Sequence, residues 1–166
     1  APEDAYIKAG ETQFEIVPEV LGNTVKKNQL LDAIKTALAT CVTVINLEES
    51  DLYKLPEYYE SDEVVQNALA AANKYAASHI TYDFKYTTET VDYSLIKDWV
   101  DISDDFEVSL NDSKVGDYVE ELGSKYNTMG AARDFTTSSG REINAYGGNY
   151  GLKIYFDKEK EKLLKN

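Results

Sequence analysis

Residues 111–126, NDSKVGDYVEELGSKY, decide how the C-terminal half of this sequence is read. Val115, Tyr118, Val119, Leu122 and Tyr126 recur at i, i+3, i+4, i+7 and i+11, the spacing of one face of an α-helix. Asn111 stands just before the run, where its side-chain oxygen can cap a free backbone N–H of the first turn. Such a helix needs an apolar surface to lie on, and the preceding residues supply one. Ile80, Tyr82, Phe84 and Tyr86 alternate with Thr81, Asp83 and Lys85, which predicts a strand with one buried face. Val91-Asp92-Tyr93 reads as extended, Ser94–Val100 as a short helix whose Trp99 anchors the core, and Phe106–Leu110 as a short strand.

Toward the N-terminus, Ser61 opens a predicted helix with Val64, Val65, Ala68, Leu69, Ala72, Tyr75 and Ala76 on its apolar face; Asp62 and Glu63 sit in its first turn, where they complement the helix dipole. Residues 6–8 and 12–17 read as strands around a turn at Ala9–Gly10. Asn23 or Thr24 caps a predicted helix over 25–40, whose Leu30, Leu31, Ile34 and Leu38 are expected to be core. Cys41–Leu47 reads as a buried strand and Glu48–Tyr59 as a loop. After Asn127 the composition changes. Thr128–Ala132 reads as a small-residue linker. Asp134–Ser138, Arg141–Tyr146 and Asn149–Phe156 read as short strands joined by hairpin turns at Ser139-Gly140 and Gly147-Gly148. Asp157 then caps a lysine-rich terminal helix. The expected class is α+β, with a mixed, largely antiparallel sheet packed with about three main helices, plus a C-terminal β-hairpin segment. The expected division is a compact domain over 1–130, then a hairpin linker and terminal helix over 131–166.

Composition narrows the function. The chain has 166 residues, 17 basic and 30 acidic, for a formal charge of −13. Polyanions repel such a chain, so nucleic acid is not an expected partner. No apolar stretch approaches the ~20 residues that span a bilayer, so membrane association is expected only through an anchor outside this chain. The sequence opens at Ala1 and reads as a processed or excised piece of a longer protein. Thirteen residues are tyrosine, a side chain with an apolar face and a polar tip that suits sugar-binding surfaces and half-buried strands alike.

Chemistry-bearing residues are few. Cys41 and His79 are the sole cysteine and histidine, so an intrachain disulfide is impossible and a Cys/His zinc site would need carboxylates. An activated cysteine requires a base in hydrogen-bond reach and an exposed, electropositive setting; Cys41, in an apolar run, is expected to be buried and inert. Asp101, Asp104, Asp105 and Glu107 lack the mid-loop glycine and final glutamate of a calcium loop. Gly147-Gly148-Asn149-Tyr150-Gly151 lacks the lysine and following helix of a phosphate loop. No catalytic residue, metal site or cofactor is expected.

Phe14-Glu15-Ile16-Val17-Pro18-Glu19 with Gly22-Asn23, the string Val91-Asp92 … Ile96 … Trp99-Val100, Val115 … Tyr118-Val119 … Leu122 … Lys125-Tyr126-Asn127-Thr128, and then Phe135–Glu142 and Gly147–Gly151 form an ordered pattern. It resembles the peptidoglycan-binding domain that precedes the catalytic domain of Gram-positive L,D-transpeptidases and also occurs in VanW-like vancomycin-resistance proteins. The resemblance implies a non-catalytic, extracellular cell-wall accessory domain that binds or positions peptidoglycan or its stem peptides for a C-terminal catalytic domain, or else a structural spacer. The Ser-x-Gly-Cys motif and histidine segment of the transpeptidase domain are absent here, and Leu152 stands where the family usually has tryptophan. Glu19 and Asn23, from the family-like Pro-Glu … Gly-Asn turn, and Arg141 and Tyr150, from the linker hairpins, are the candidate contacts; the alternative gives Glu19 and Asn23 helix-entry roles and Tyr150 a packing role. With a charge of −13, contact is expected through stacking and hydrogen bonds rather than net attraction.

Overall fold

A computed structural model describes residues 1–165. The class is α+β as expected: five helices, and antiparallel strands arranged as separate two-stranded pairs rather than one sheet. The chain forms two compact units, one of Ala1–Ala76 with Ile102–Glu107, the other of Ala77–Asp101 with the described residues from Val108 onward.

In the first unit, β1 (Tyr6–Ala9) pairs antiparallel with β2 (Phe14–Val17), with Ala9 opposite Phe14. Helix α2 (Glu63–Ala76) lies against this hairpin and buries Val65, Ala68 and Ala72. Its Asn73 side chain accepts from the Phe14 N–H at 2.8 Å and donates to the Phe14 carbonyl at 3.1 Å. That amide satisfies the backbone of β2 much as a neighbouring strand would. Ala5, Phe14 and Leu52 complete this small core.

Helix α1 (Lys27–Thr40) departs from expectation. It exists, but it buries no residue, and Leu31, Ile34 and Leu38 are exposed, Leu38 to 76%. No element packs extensively along it among the described residues. Neither Asn23 nor Thr24 caps it: the N-cap is Lys26, without a side-chain capping bond. The backbone there is committed elsewhere, because Lys26 N–H donates to the Leu52 carbonyl (2.7 Å) and Lys54 N–H to the Thr24 carbonyl (2.7 Å). The predicted strand Cys41–Leu47 is absent. Cys41 instead takes the left-handed conformation (φ 55°, ψ 31°) and ends α1 by donating its N–H to the Ala37 carbonyl, a common way to satisfy a last-turn carbonyl. It is exposed, contrary to its expected burial.

In the second unit, β3 (Ile80–Asp83) pairs antiparallel with β4 (Thr88–Val91), and α3 (Tyr93–Trp99) comes next, capped by the Asp92 carboxylate on the Ser94 N–H. After the pair β5 (Val100–Ile102, of which Ile102 is counted with the first unit) and β6 (Val108–Leu110) comes α4 (Asp112–Tyr126). Asn111 caps α4 as predicted, accepting from the Lys114 N–H at 3.0 Å. Val115, Val119 and Leu122 are buried on α4, and Trp99 is buried as the expected anchor, 5.1 Å from the Tyr118 ring centroid. β7 (Arg133–Thr136) and β8 (Glu142–Ala145) form the expected hairpin, but over a longer loop, Thr137–Arg141, closed by a Thr137 N–H bond to the Arg141 carbonyl. The third predicted strand, Asn149–Phe156, is absent: its Gly151 and the preceding Gly147 and Gly148 take positive φ, and the segment bonds to Asn127–Met129 instead. α5 (Phe156–Lys165) packs on α4 and buries Leu163.

Leu163→Ala should destabilise the second unit by ~2–5 kcal/mol, the range for buried leucine truncations, read by urea unfolding monitored through Trp99 fluorescence. The Cys41 thiol should react with an aromatic disulfide reagent in the native chain within about threefold of its rate in the unfolded chain, as expected of an exposed thiol.

Candidate functional site

The second unit carries an open groove of about 660 Å³, lined by residues 84–87, Lys125, Tyr126, Thr128, Arg133 and residues 149–152. Its floor is aromatic. Phe84, at the end of β3, stacks on Tyr126 of α4 with centroids 3.9 Å apart and planes 13° from parallel, and Tyr82 lies nearly parallel to Phe84 at 6.2 Å. The turn Phe84–Thr87 is closed by the Phe84 N–H on the Thr87 carbonyl (3.0 Å), with Lys85 left-handed at φ 68° and its N–H on the Asp83 carboxylate. Tyr86 lies within this turn and past the paired strand, so it no longer alternates into the core and is 94% exposed.

The other wall is the segment Asn149–Leu152. Thr128 and Met129 donate their N–H groups to the Leu152 carbonyl (2.9 and 3.0 Å), Leu152 N–H donates to Thr128 Oγ1 (3.0 Å), and Ile154 N–H donates to Asn127 Oδ1 (2.6 Å). Gly151 makes this docking possible. At φ +133° a Cβ on residue 151 would sit 2.5 Å from the Thr128 carbonyl oxygen, so only glycine fits without displacement. The docking holds Tyr150 beside the groove, 80% exposed, with the Arg133 guanidinium 4.9 Å from its ring centroid.

Charge is distributed unevenly around this groove. The Glu89 carboxylate on β4 accepts from both Lys125 Nζ and the Tyr126 hydroxyl. These bonds, the one from Lys125 foremost, hold the Glu89 carboxyl below its ordinary value, and the same contact raises Lys125. Burial pushes the Tyr118 phenol up to about 12, with Glu89 and Glu121 adding to it. Tyr82 is likewise raised, by burial first and then by Glu159, whose carboxylate accepts its hydroxyl at 3.0 Å. The first unit has a cavity of the opposite character, about 420 Å³, lined by Asp4, Glu57, Asp104 and Asp105 with Tyr58 and Phe106.

Tyr150 is the sequence-implied residue that lines the groove. Arg141 lies in the β7–β8 loop, where its backbone bonds to Thr137. Glu19 and Asn23 lie in the first unit; Glu19 Oε2 accepts from the Glu60 N–H at 2.8 Å, and Asn23 is exposed beside Gly22. Sequence alone does not single out Tyr86, Lys85, Lys125 or Arg133. The signal for Tyr86 is its place one alternation beyond the strand's last buried aromatic, ahead of Thr-Thr. His79 lies in the second unit and Cys41 in the first. Among the described residues no group of three or more His, Cys, Asp or Glu side chains is arranged to hold a metal, and no helix is long and apolar enough to cross a membrane.

The sequence profile of a family described as "Putative peptidoglycan binding domain" matches residues 58–166, about two-thirds of the chain and all of the groove. The chain belongs to that family. Among solved structures it is similar to the Ldtfm–avibactam carbamoyl enzyme (32% identity, TM-score 0.48, 61% of this chain and 40% of that one). It is also similar to a mutant of the Enterococcus faecium L,D-transpeptidase (32% identity, TM-score 0.47, 60% and 40%). It thus spans about 40% of the length of these structures. No curated protein gives a match.

The Glu89 cluster has a consequence in acid. A carboxylate whose folded value is lowered contributes stability that is complete above its unfolded value, here 4.5, and is lost as pH falls toward the folded value. Urea midpoints measured from pH 6 to pH 3 should therefore fall less steeply for Glu89→Gln than for the natural chain, with the two converging at the acid end.

Proposed function

We propose that this chain is a non-catalytic, cell-wall-associated accessory domain that binds peptidoglycan in the aromatic groove of its second unit. One observation carries the reading: inside the matched residues, Tyr86 and Tyr150 flank a groove and are 94% and 80% exposed. Large aromatic faces left in water beside a concave surface are an unfavourable arrangement unless a ligand covers them. A pyranose ring or a peptide segment can lie on a phenol face while the hydroxyl stays hydrogen-bonded. The resemblance to domains that precede transpeptidases supports a positioning role, with residues 131–166 leading toward a catalytic domain and the acyl-transfer chemistry located there. The same resemblance supports a location outside the cell.

The test is retention by insoluble peptidoglycan. The expected affinity is ~0.1–1 mM, equivalent to about 4–5.5 kcal/mol, since an open groove with few contacts orders little ligand. Tyr86→Ala with Tyr150→Ala should lower retention about tenfold, with the circular dichroism spectrum unchanged because both rings are exposed. Glu19→Ala, Asn23→Ala and Arg141→Ala form the comparison set, and lost retention in any of them would add a second contact outside the groove. No retention of the natural chain would return it to the spacer reading.

A further inference from the structure

Resting on that reading, we infer that the groove selects a free carboxylate: its ligand is the C-terminal carboxylate of a peptidoglycan stem peptide, held by Arg133 and Lys85 while the adjoining residues lie against Tyr150 and Tyr86. The first support is composition. The chain carries 30 acidic and 17 basic residues, yet the groove lining contains Lys85, Lys125 and Arg133 and no acidic side chain. The cavity of the first unit has four carboxylates in its lining and no cation. Of these two cavities in a molecule of net charge −13, the groove is the one whose lining suits an anion.

The three cations do different work. Lys125 is neutralised by Glu89 and belongs to the scaffold. Arg133 has no carboxylate partner among the described residues; its guanidinium makes one long bond, 3.4 Å, to the Thr128 carbonyl and otherwise lies on the Tyr150 ring. A guanidinium has five N–H donors in a planar fork that matches two carboxylate oxygens, so most of its donors remain available to a ligand. Lys85 also lines the groove and is exposed, and its ammonium likewise has no carboxylate partner among the described residues. A stacked fork and a point charge lining the same groove suit a carboxylate with an apolar or sugar neighbour. A peptidoglycan repeat carries its free carboxylates on the peptide and none on the unmodified glycan, which fixes the part of the polymer that would enter.

The probe is N-acetylmuramyl pentapeptide with its terminal carboxylate free, compared with the same compound as the C-terminal primary amide. Both are titrated into the whole chain and followed by amide chemical shifts. The free acid should bind about tenfold more tightly than the amide and perturb residues 85–86, 133 and 150. Raising salt should weaken the acid and leave the amide nearly unchanged, because salt screens the charged contact. Arg133→Gln should erase the difference between the two ligands by bringing the acid down to the amide's affinity. Equal affinity of acid and amide for the natural chain, with sacculi still retained through Tyr86 and Tyr150, would overturn the carboxylate inference and leave the peptidoglycan reading standing. Displacement of the acid by an equal concentration of glycerol phosphate would also overturn it, assigning the site to phosphate. Failure of both muropeptides and of sacculi to bind would sink the peptidoglycan reading itself.

Discussion

Val115, Val119 and Leu122 are buried along one face of α4, and most of the groove's shape is fixed by the contacts of that face and of its C-terminal end. Each such side chain contributes ~1.5–3 kcal/mol when fully removed from water, enough to hold α3 and α5 against the same helix. The stripe then runs on past the helix. Tyr126 stacks on Phe84 and so fixes the β3–β4 turn as one wall. Asn127 and Thr128, the next two residues, bond to Ile154 and Leu152 and so fix the other. Residues adjacent in sequence thus tie together the two segments that carry Tyr86 and Tyr150, although both tyrosines are exposed.

Periodicity is a good guide wherever a partner surface lies in the same unit, and a poor one otherwise. The faces of α2 and α4 read from sequence contain every buried residue of those helices except Gly116, and the Asn111 cap is where it is expected. The stripe Leu31, Ile34, Leu38 of α1 has the same spacing and yet is exposed. A helical period says which face would be buried, not whether anything is there to cover it. Cys41 shows a second limit. The apolar, β-branched run after it has the composition of a strand, but a left-handed cap at Cys41 ends α1, and residues 42–47 form no strand pairing.

The groove is less legible than the fold because no contiguous motif encodes it. Its residues come from three stretches, 84–87, 125–133 and 149–152, brought together by a ring stack and a few backbone bonds. Tyr150 can be reached through the family pattern. Alternation assigns Tyr86 to the core, because the end of a strand cannot be read to within a residue. Gly151 looks like part of a hairpin turn, but its requirement is the approach of its backbone to Thr128, a tertiary constraint invisible in a local pattern.

Net charge also needs separating by distance. At physiological ionic strength fields between exposed charges decay over about 8 Å, so most of the chain's carboxylates weigh little on a ligand already in the groove. They act earlier, on approach, where a charge of −13 slows encounter with any anionic surface. Near the ligand the local count decides, and there Glu89 has a double effect. It cancels the charge of Lys125 while tying β4 to the end of α4, and it accepts the Tyr126 hydroxyl that would otherwise compete for a ligand's acceptor. The scaffold thereby uses one of the three lining cations and leaves two, Arg133 and Lys85, without a carboxylate partner among the described residues. A negative group in the groove is attracted by either cation, whereas a neutral sugar has only the tyrosine faces to lie on.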